Sequence, residues 1–130
     1  LILKYVDIHL PEGKIEYSYR VLVKLIEDII LRVAGIDSLE KQPDESIKIE
    51  AKKESLNISL YLIFTLEKRV PEVAWDAQKN LKDIFEKKTG LKVDRIDIFV
   101  QGFSSVGLNE NFENLFPELS LSELKVNHAP

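Results

Sequence analysis

One stretch of the chain leaves the fold little freedom. From Leu56 an apolar residue stands at every second position, Leu56, Ile58, Leu60, Leu62, Phe64 and Leu66, with Asn57, Ser59, Tyr61, Ile63 and Thr65 between them. A period of two marks a β-strand, whose side chains point alternately to opposite faces. A continuous apolar row on one face demands a continuous apolar cover, so the row predicts a sheet buried on that side. Just before it, Ile47, Ile49 and Ala51 alternate with Lys48, Glu50 and Lys52, the pattern of a strand with one wet face. Lys53-Glu54-Ser55 between the two predicts a tight turn and an antiparallel hairpin.

Two helical patterns can supply the cover. Ser18 is placed to cap a helix from Tyr19 to Ala34, with Leu22, Leu25, Ile26, Ile29 and Val33 on one stripe and Gly35 where a left-handed C-cap is wanted. Lys24–Asp28 and Asp28–Arg32 lie four apart on the opposite side, pairs worth ~0.2–0.5 kcal/mol each. The second helix opens on Pro71 and Glu72, buries Val73, Ala74, Ala77, Leu81, Ile84 and Phe85, and closes with Lys87, Lys88 and Gly90. Between the first helix and the hairpin, Asp37 to Ser46 is polar, contains Pro43 and reads as a linker.

The ends are less constrained. Leu1 to Leu10 is β-like, Pro11-Glu12-Gly13 is a turn signal, and Lys14 to Tyr17 resumes the alternation. Val93 to Val100 predicts a last strand, with Ile96, Ile98 and Val100 facing one way. The expected order is β-α-β-β-α-β, or α-β-β-α-β if the first segment merely flanks. The fold class is α+β, a two-layer sandwich with two helices on one face of a mostly antiparallel sheet. Regularity fades after Gly102, so residues 1–103 are expected to form the domain and 104–130 a tail or short docking segment. In that tail Phe112, Leu115, Phe116 and Leu119 are spaced like one helix face, interrupted by Pro117.

Composition narrows the function. With 130 residues, 45% of them hydrophobic, the chain can build one core and not two. It has no cysteine, which excludes disulfide frameworks, thiolate zinc sites and cysteine nucleophiles, and fits a reducing compartment. No apolar run approaches the ~18–20 residues that span a bilayer. The first residues also lack the basic region and cleavage site of a secretory signal. These features predict a cytoplasmic protein without direct membrane insertion. Its 18 basic and 22 acidic residues are interleaved, for a net charge of −4, a balance that argues against a dedicated polyanion binder.

No pattern in the chain assembles a catalytic site. His9 and His128 have no acidic or histidine partner at metal-ligand spacing, and H-E-x-x-H is absent. The glycines at 13, 35, 90, 102 and 107 make neither a dinucleotide fingerprint nor a phosphate loop. Asp76, Asp83, Asp94 and Asp97 read as surface charges. The expectation is therefore a non-enzyme, with no catalytic, cofactor-binding or metal-binding residue. The element order is shared with RNA-recognition modules, and the open sheet face would offer Tyr61, Ile63, Phe99 and Tyr5 for base stacking. The basic, glycine- and aromatic-rich signature of those modules is missing, and so is a G-x-x-G loop. A weak RNA-binding module is the alternative reading.

The informative residues are apolar ones off the core stripes. Trp75, the only tryptophan, lies about 140° from the centre of the second helix's apolar stripe at 100° per residue. Leu31 is off the first helix's stripe. Tyr61, Ile63 and Phe99 alternate away from the core face, and Phe103 extends that outward set. These six residues form the candidate interface, for a protein partner or for self-association. The competing reading is that a bent helix start or another part of the chain covers them.

Several punctuating motifs carry a family likeness. They are Gly13-Lys14-Ile15-Glu16-Tyr17-Ser18 with Val21, then Val33-Ala34-Gly35-Ile36, then Val73-Ala74 with Gln78. Thr89-Gly90-Leu91-Lys92-Val93 leading into Ile96-Asp97-Ile98-Phe99-Val100-Gln101-Gly102 carries the most. From about Gly13 to Phe103 the chain resembles the alkaline shock protein family of bacterial envelope stress proteins. It departs where many members carry Tyr-Gly after the long strand, having Leu66-Glu67-Lys68-Arg69 instead. The resemblance implies a non-enzymatic scaffolding or adaptor protein, without catalytic residues to carry over. Some members sit at the membrane through a separate anchoring protein and others are cytosolic.

Overall fold

The computed structural model describes residues 4–104. Leu1 to Leu3, His128 and the apolar tail positions from Phe112 to Leu119 lie outside the described residues.

The alternating row forms β5 (Leu56–Phe64), the central strand. Its core-facing residues Leu56, Ile58, Leu60, Leu62 and Phe64 are all at most 2% exposed. Burying an aliphatic or aromatic side chain of this size stabilises a fold by ~1.5–3 kcal/mol. Strand β4 (Ile47–Ala51) pairs antiparallel with the first half of β5, Ile47 opposite Leu60 and Ala51 opposite Leu56. Strand β3 (Ile36–Leu39) pairs antiparallel with the second half, Ile36 opposite Phe64 and Leu39 opposite Leu62. Along the other edge, β6 (Val93–Phe103) runs parallel to β5 from Leu56 to Phe64.

Helices α1 (Tyr19–Ile30) and α3 (Val70–Thr89) cover one face of this sheet and bury Leu22, Ile26, Ile29 and Ile30, and Val73, Ala77, Leu81 and Phe85. The class is α+β with mostly antiparallel pairing. The one parallel pair is enforced by connectivity, since α3 must carry the chain back across the sheet between β5 and β6.

Four details depart from the sequence expectation. The segment read as a linker contains β3 and a one-turn helix α2 (Pro43–Ser46). Strand β4 covers only half of β5's edge. The chain therefore lays Ile36, 7% exposed, beside Phe64 to fill the rest. The first segment is a separate hairpin, β1 (Tyr5–Leu10) and β2 (Gly13–Ser18), forming its own two-stranded sheet. The order is thus β-β-α-β-α-β-β-α-β. Val6 docks this hairpin on the core, and the Tyr17 hydroxyl donates to the Thr89 carbonyl at 2.7 Å.

Helix α1 is capped by Ser18 as expected, its Oγ accepting from the Val21 N–H at 3.2 Å. It ends at Ile30, four residues before Ala34, with Leu31 as C-cap. Gly35 is therefore not the cap. Its φ of +99° and a Cβ position only 2.5 Å from Val73 Cγ2 show its role, a left-handed turn pressed against α3. Gly90, with φ of +77°, is the left-handed cap of α3. Finally, Ile84, expected in the core stripe, is 41% exposed. It borders a groove between α1 and α3 with Leu25, Ile29 and Val33.

Candidate functional site

The outer edge of β6 is where sequence anomalies and structure converge. Among the described residues β6 pairs with β5 alone, so its other edge is open. An open strand edge presents unpaired N–H and C=O groups, which templates further strand pairing unless it is blunted.

Half of this edge is blunted by α3. The Val93 N–H donates to Glu86 Oε2 at 2.8 Å, and Lys82 Nζ donates to the Val93 carbonyl at 2.6 Å. One turn earlier, Gln78 Nε2 donates to the Ile96 carbonyl at 2.9 Å. Gln78, Lys82 and Glu86 are four apart and share one side of the helix. The hydrogen bond from Val93 is the first reason the Glu86 carboxyl is held below its ordinary value. Lys82 and Lys92 reinforce this, and partial burial opposes it.

Trp75 continues the same side of α3 beyond Gln78, and there the capping stops. Since the Ile96 carbonyl points away from β5, alternation turns the main-chain groups of Ile98 and Val100 outward as well. Among the described residues they have no partner. Phe99 and Val100 in this stretch are 41% and 39% exposed, and Trp75, 60% exposed, faces Ile96 at its start. Trp75, Gln78, Lys82, Arg95 and Ile96 line a shallow concavity of about 410 Å³, and Lys79 Nζ lies 5.2 Å from the centre of the indole ring. The indole that the helical wheel sets off the core stripe is thus exposed, next to the point where the capping of β6 ends among the described residues.

The other candidates divide. Tyr61 and Phe99 stack on the outer sheet face with ring centres 4.8 Å apart and planes 12° from parallel. Ile63 is half-buried beside them, opposite Gly102. Phe103 is not on that face. Gln101 forms a bulge, because Val100 pairs with Leu62 while Gly102 pairs with Ile63. The extra residue reverses the alternation and turns Phe103, opposite Phe64, against the core. Leu31 is 41% exposed at the end of α1 and does not line the Trp75 concavity. The capping residues Gln78, Lys82 and Glu86 were not singled out as a set from sequence. Their four-residue spacing was legible, but its meaning needs the crossover that sets α3 beside β6.

No group of three or more His, Cys, Asp or Glu side chains among the described residues is placed to hold a metal ion. No helix among them is long and apolar enough to cross a membrane.

These features define a small α+β domain in which one parallel β-α-β crossover is added to an antiparallel sheet, its last strand half-capped by the crossing helix. Residues 8–105 match the family model of alkaline shock protein 23, described as having a cell envelope-related function, and the chain belongs to that family. No curated protein and no solved structure matches it.

Proposed function

We propose that this chain is a non-enzymatic scaffold or adaptor of the cell envelope, working by protein–protein association through the β6 edge and Trp75. It is cytoplasmic in this reading, and reaches the inner face of the membrane only through a protein partner. The observation that carries the reading is the 60% exposed Trp75, which shares a concavity with Ile96 where the capping of β6 among the described residues ends. Large aromatics dominate interface energetics, and a strand edge adds main-chain bonds that fix orientation. The family's envelope relation supports the cellular setting.

The test places a photo-crosslinking amino acid at position 75 and recovers the tagged chain from cytosolic and membrane fractions. The expected result is a specific protein adduct at that position. Trp75→Ala should lower capture of the same protein at least ~10-fold, a loss of about 1.4 kcal/mol, with an unchanged melting curve. Recovery of RNA alone, released by moderate salt, would sink the association reading. It would favour base stacking on Tyr61 and Phe99 instead.

A further inference from the structure

The uncapped part of β6 is self-complementary, and we infer that its occupant is a second copy of this chain, joined antiparallel about a two-fold axis at Phe99. This rests on the association reading above and names the partner.

The register follows from where capping ends and where alternation breaks. The Gln78 bond closes the edge at Ile96, and the Gln101 bulge interrupts the alternation of β6 after Val100, its pairing with β5 resuming in a shifted register at Gly102. The stretch between, Asp97 to Gln101, is centred on Phe99. Because Ile98 and Val100 turn their main-chain groups outward, an antiparallel copy centred on Phe99 sets Ile98 opposite the partner's Val100. In that position the two residues exchange both N–H···O bonds. The two-fold repeats the pair, giving four main-chain bonds from groups that otherwise have no partner among the described residues.

Side chains agree with this register. On the outer face Phe99 meets its own copy, extending the Tyr61–Phe99 stack across the axis. On the helix side Ile98 meets Val100. Asp97 falls opposite Gln101, so no like charges oppose one another. A centre at Asp97 would set two carboxylates face to face and use the already capped Ile96, and a centre at Gln101 would place the bulge on the axis. Trp75 shares a concavity with Ile96 at the start of the joined stretch. The two sheets become one continuous sheet, and the open edge disappears.

The chain has no cysteine, so a single introduced thiol reports the register. Residues facing each other across an antiparallel pair without mutual hydrogen bonds have Cα atoms ~4.5 Å apart, within disulfide range. The Phe99→Cys chain should therefore form a disulfide-linked dimer with added diamide, which takes up the two electrons and two protons that the thiols lose. Asp97→Cys, whose opposite residue is Gln101, should not. Sedimentation equilibrium of the unaltered chain should give twice its 15.0 kDa mass. Val100→Pro removes an outward N–H that no described residue accepts, and should weaken the dimer at least ~10-fold. If Val100→Pro fails to fold, the cysteine pair alone decides.

A monomer up to ~1 mM, or equal cross-linking at 97 and 99, overturns the inference. If the chain is monomeric yet position 75 still captures a different protein, the scaffold reading survives and the self-pairing is wrong. If it is monomeric and captures nothing, both fall.

Discussion

At Gly35 the backbone takes a φ of +99° while α3 comes so near that any Cβ would meet Val73 Cγ2 at 2.5 Å. Both facts penalise a side chain, and Val73 is fully buried and cannot retreat. Gly35→Ala should therefore destabilise the domain by about 2 kcal/mol or more, read as a lower urea midpoint at unchanged slope. At Gly102 a Cβ would meet only the end of Ile63 at 3.4 Å, an ordinary contact, so Gly102→Ala should cost far less. Legibility at this scale was uneven. Ser18 and Gly90 announce their caps through local chemistry. Gly35 also announces a special conformation, but what it avoids is a side chain on a helix that starts much later in the chain. Phe103 shows the same limit, since a single bulged residue reverses alternation and no residue type at Gln101 declares it.

Helix α3 and strand β6 are held together by packing on one side and by the Gln78, Lys82 and Glu86 bonds on the other. The Glu86 lock has a pH signature. Its folded carboxyl titrates below the ordinary 4.5. Its contribution is therefore complete above that value and is lost as pH falls through the depressed folded value. Glu86→Gln keeps an acceptor but no charge, so it should cost about 1 kcal/mol at neutral pH, the group being partly exposed. The difference from the unaltered chain should shrink below pH ~4.5, as measured by chemical denaturation across the acid range. A constant difference would mean that Glu86 acts through shape alone. The existence of both elements was legible from periodicity. Their mutual capping was not, because a helix face turned toward a strand edge looks like a solvated one in sequence.

Across the molecule, stability should follow the sheet's order. Strand β5 is bonded on both edges and lies under both helices. The β1–β2 hairpin is a separate sheet, tied by Val6 and the Tyr17 hydroxyl to the rest. Native-state hydrogen exchange should therefore find the Leu60 and Leu62 amides protected ~100-fold or more beyond those of the hairpin. Uniform protection would show the hairpin to be part of one cooperative unit.

The apolar row of β5, the two amphipathic helices and the position of Trp75 off the core stripe are dictated by the chain read alone. Each rests on a local period of two or 3.6 that no other packing satisfies. The family likeness was legible too, because it resides in turns and caps. Three things required the assembled fold. The polar segment after α1 becomes β3 only because β4 leaves half an edge of β5 unfilled. The N-terminal hairpin stands apart as its own sheet, tied to the rest through Val6 and the Tyr17 hydroxyl. The uncapped stretch of β6 from Asp97 to Gln101 follows from where α3 lies, since among the described residues the helix caps the strand from Val93 to Ile96 and no farther. All three concern which edge meets which neighbour, and edges are set by contacts between residues far apart in the chain, where no local period reaches.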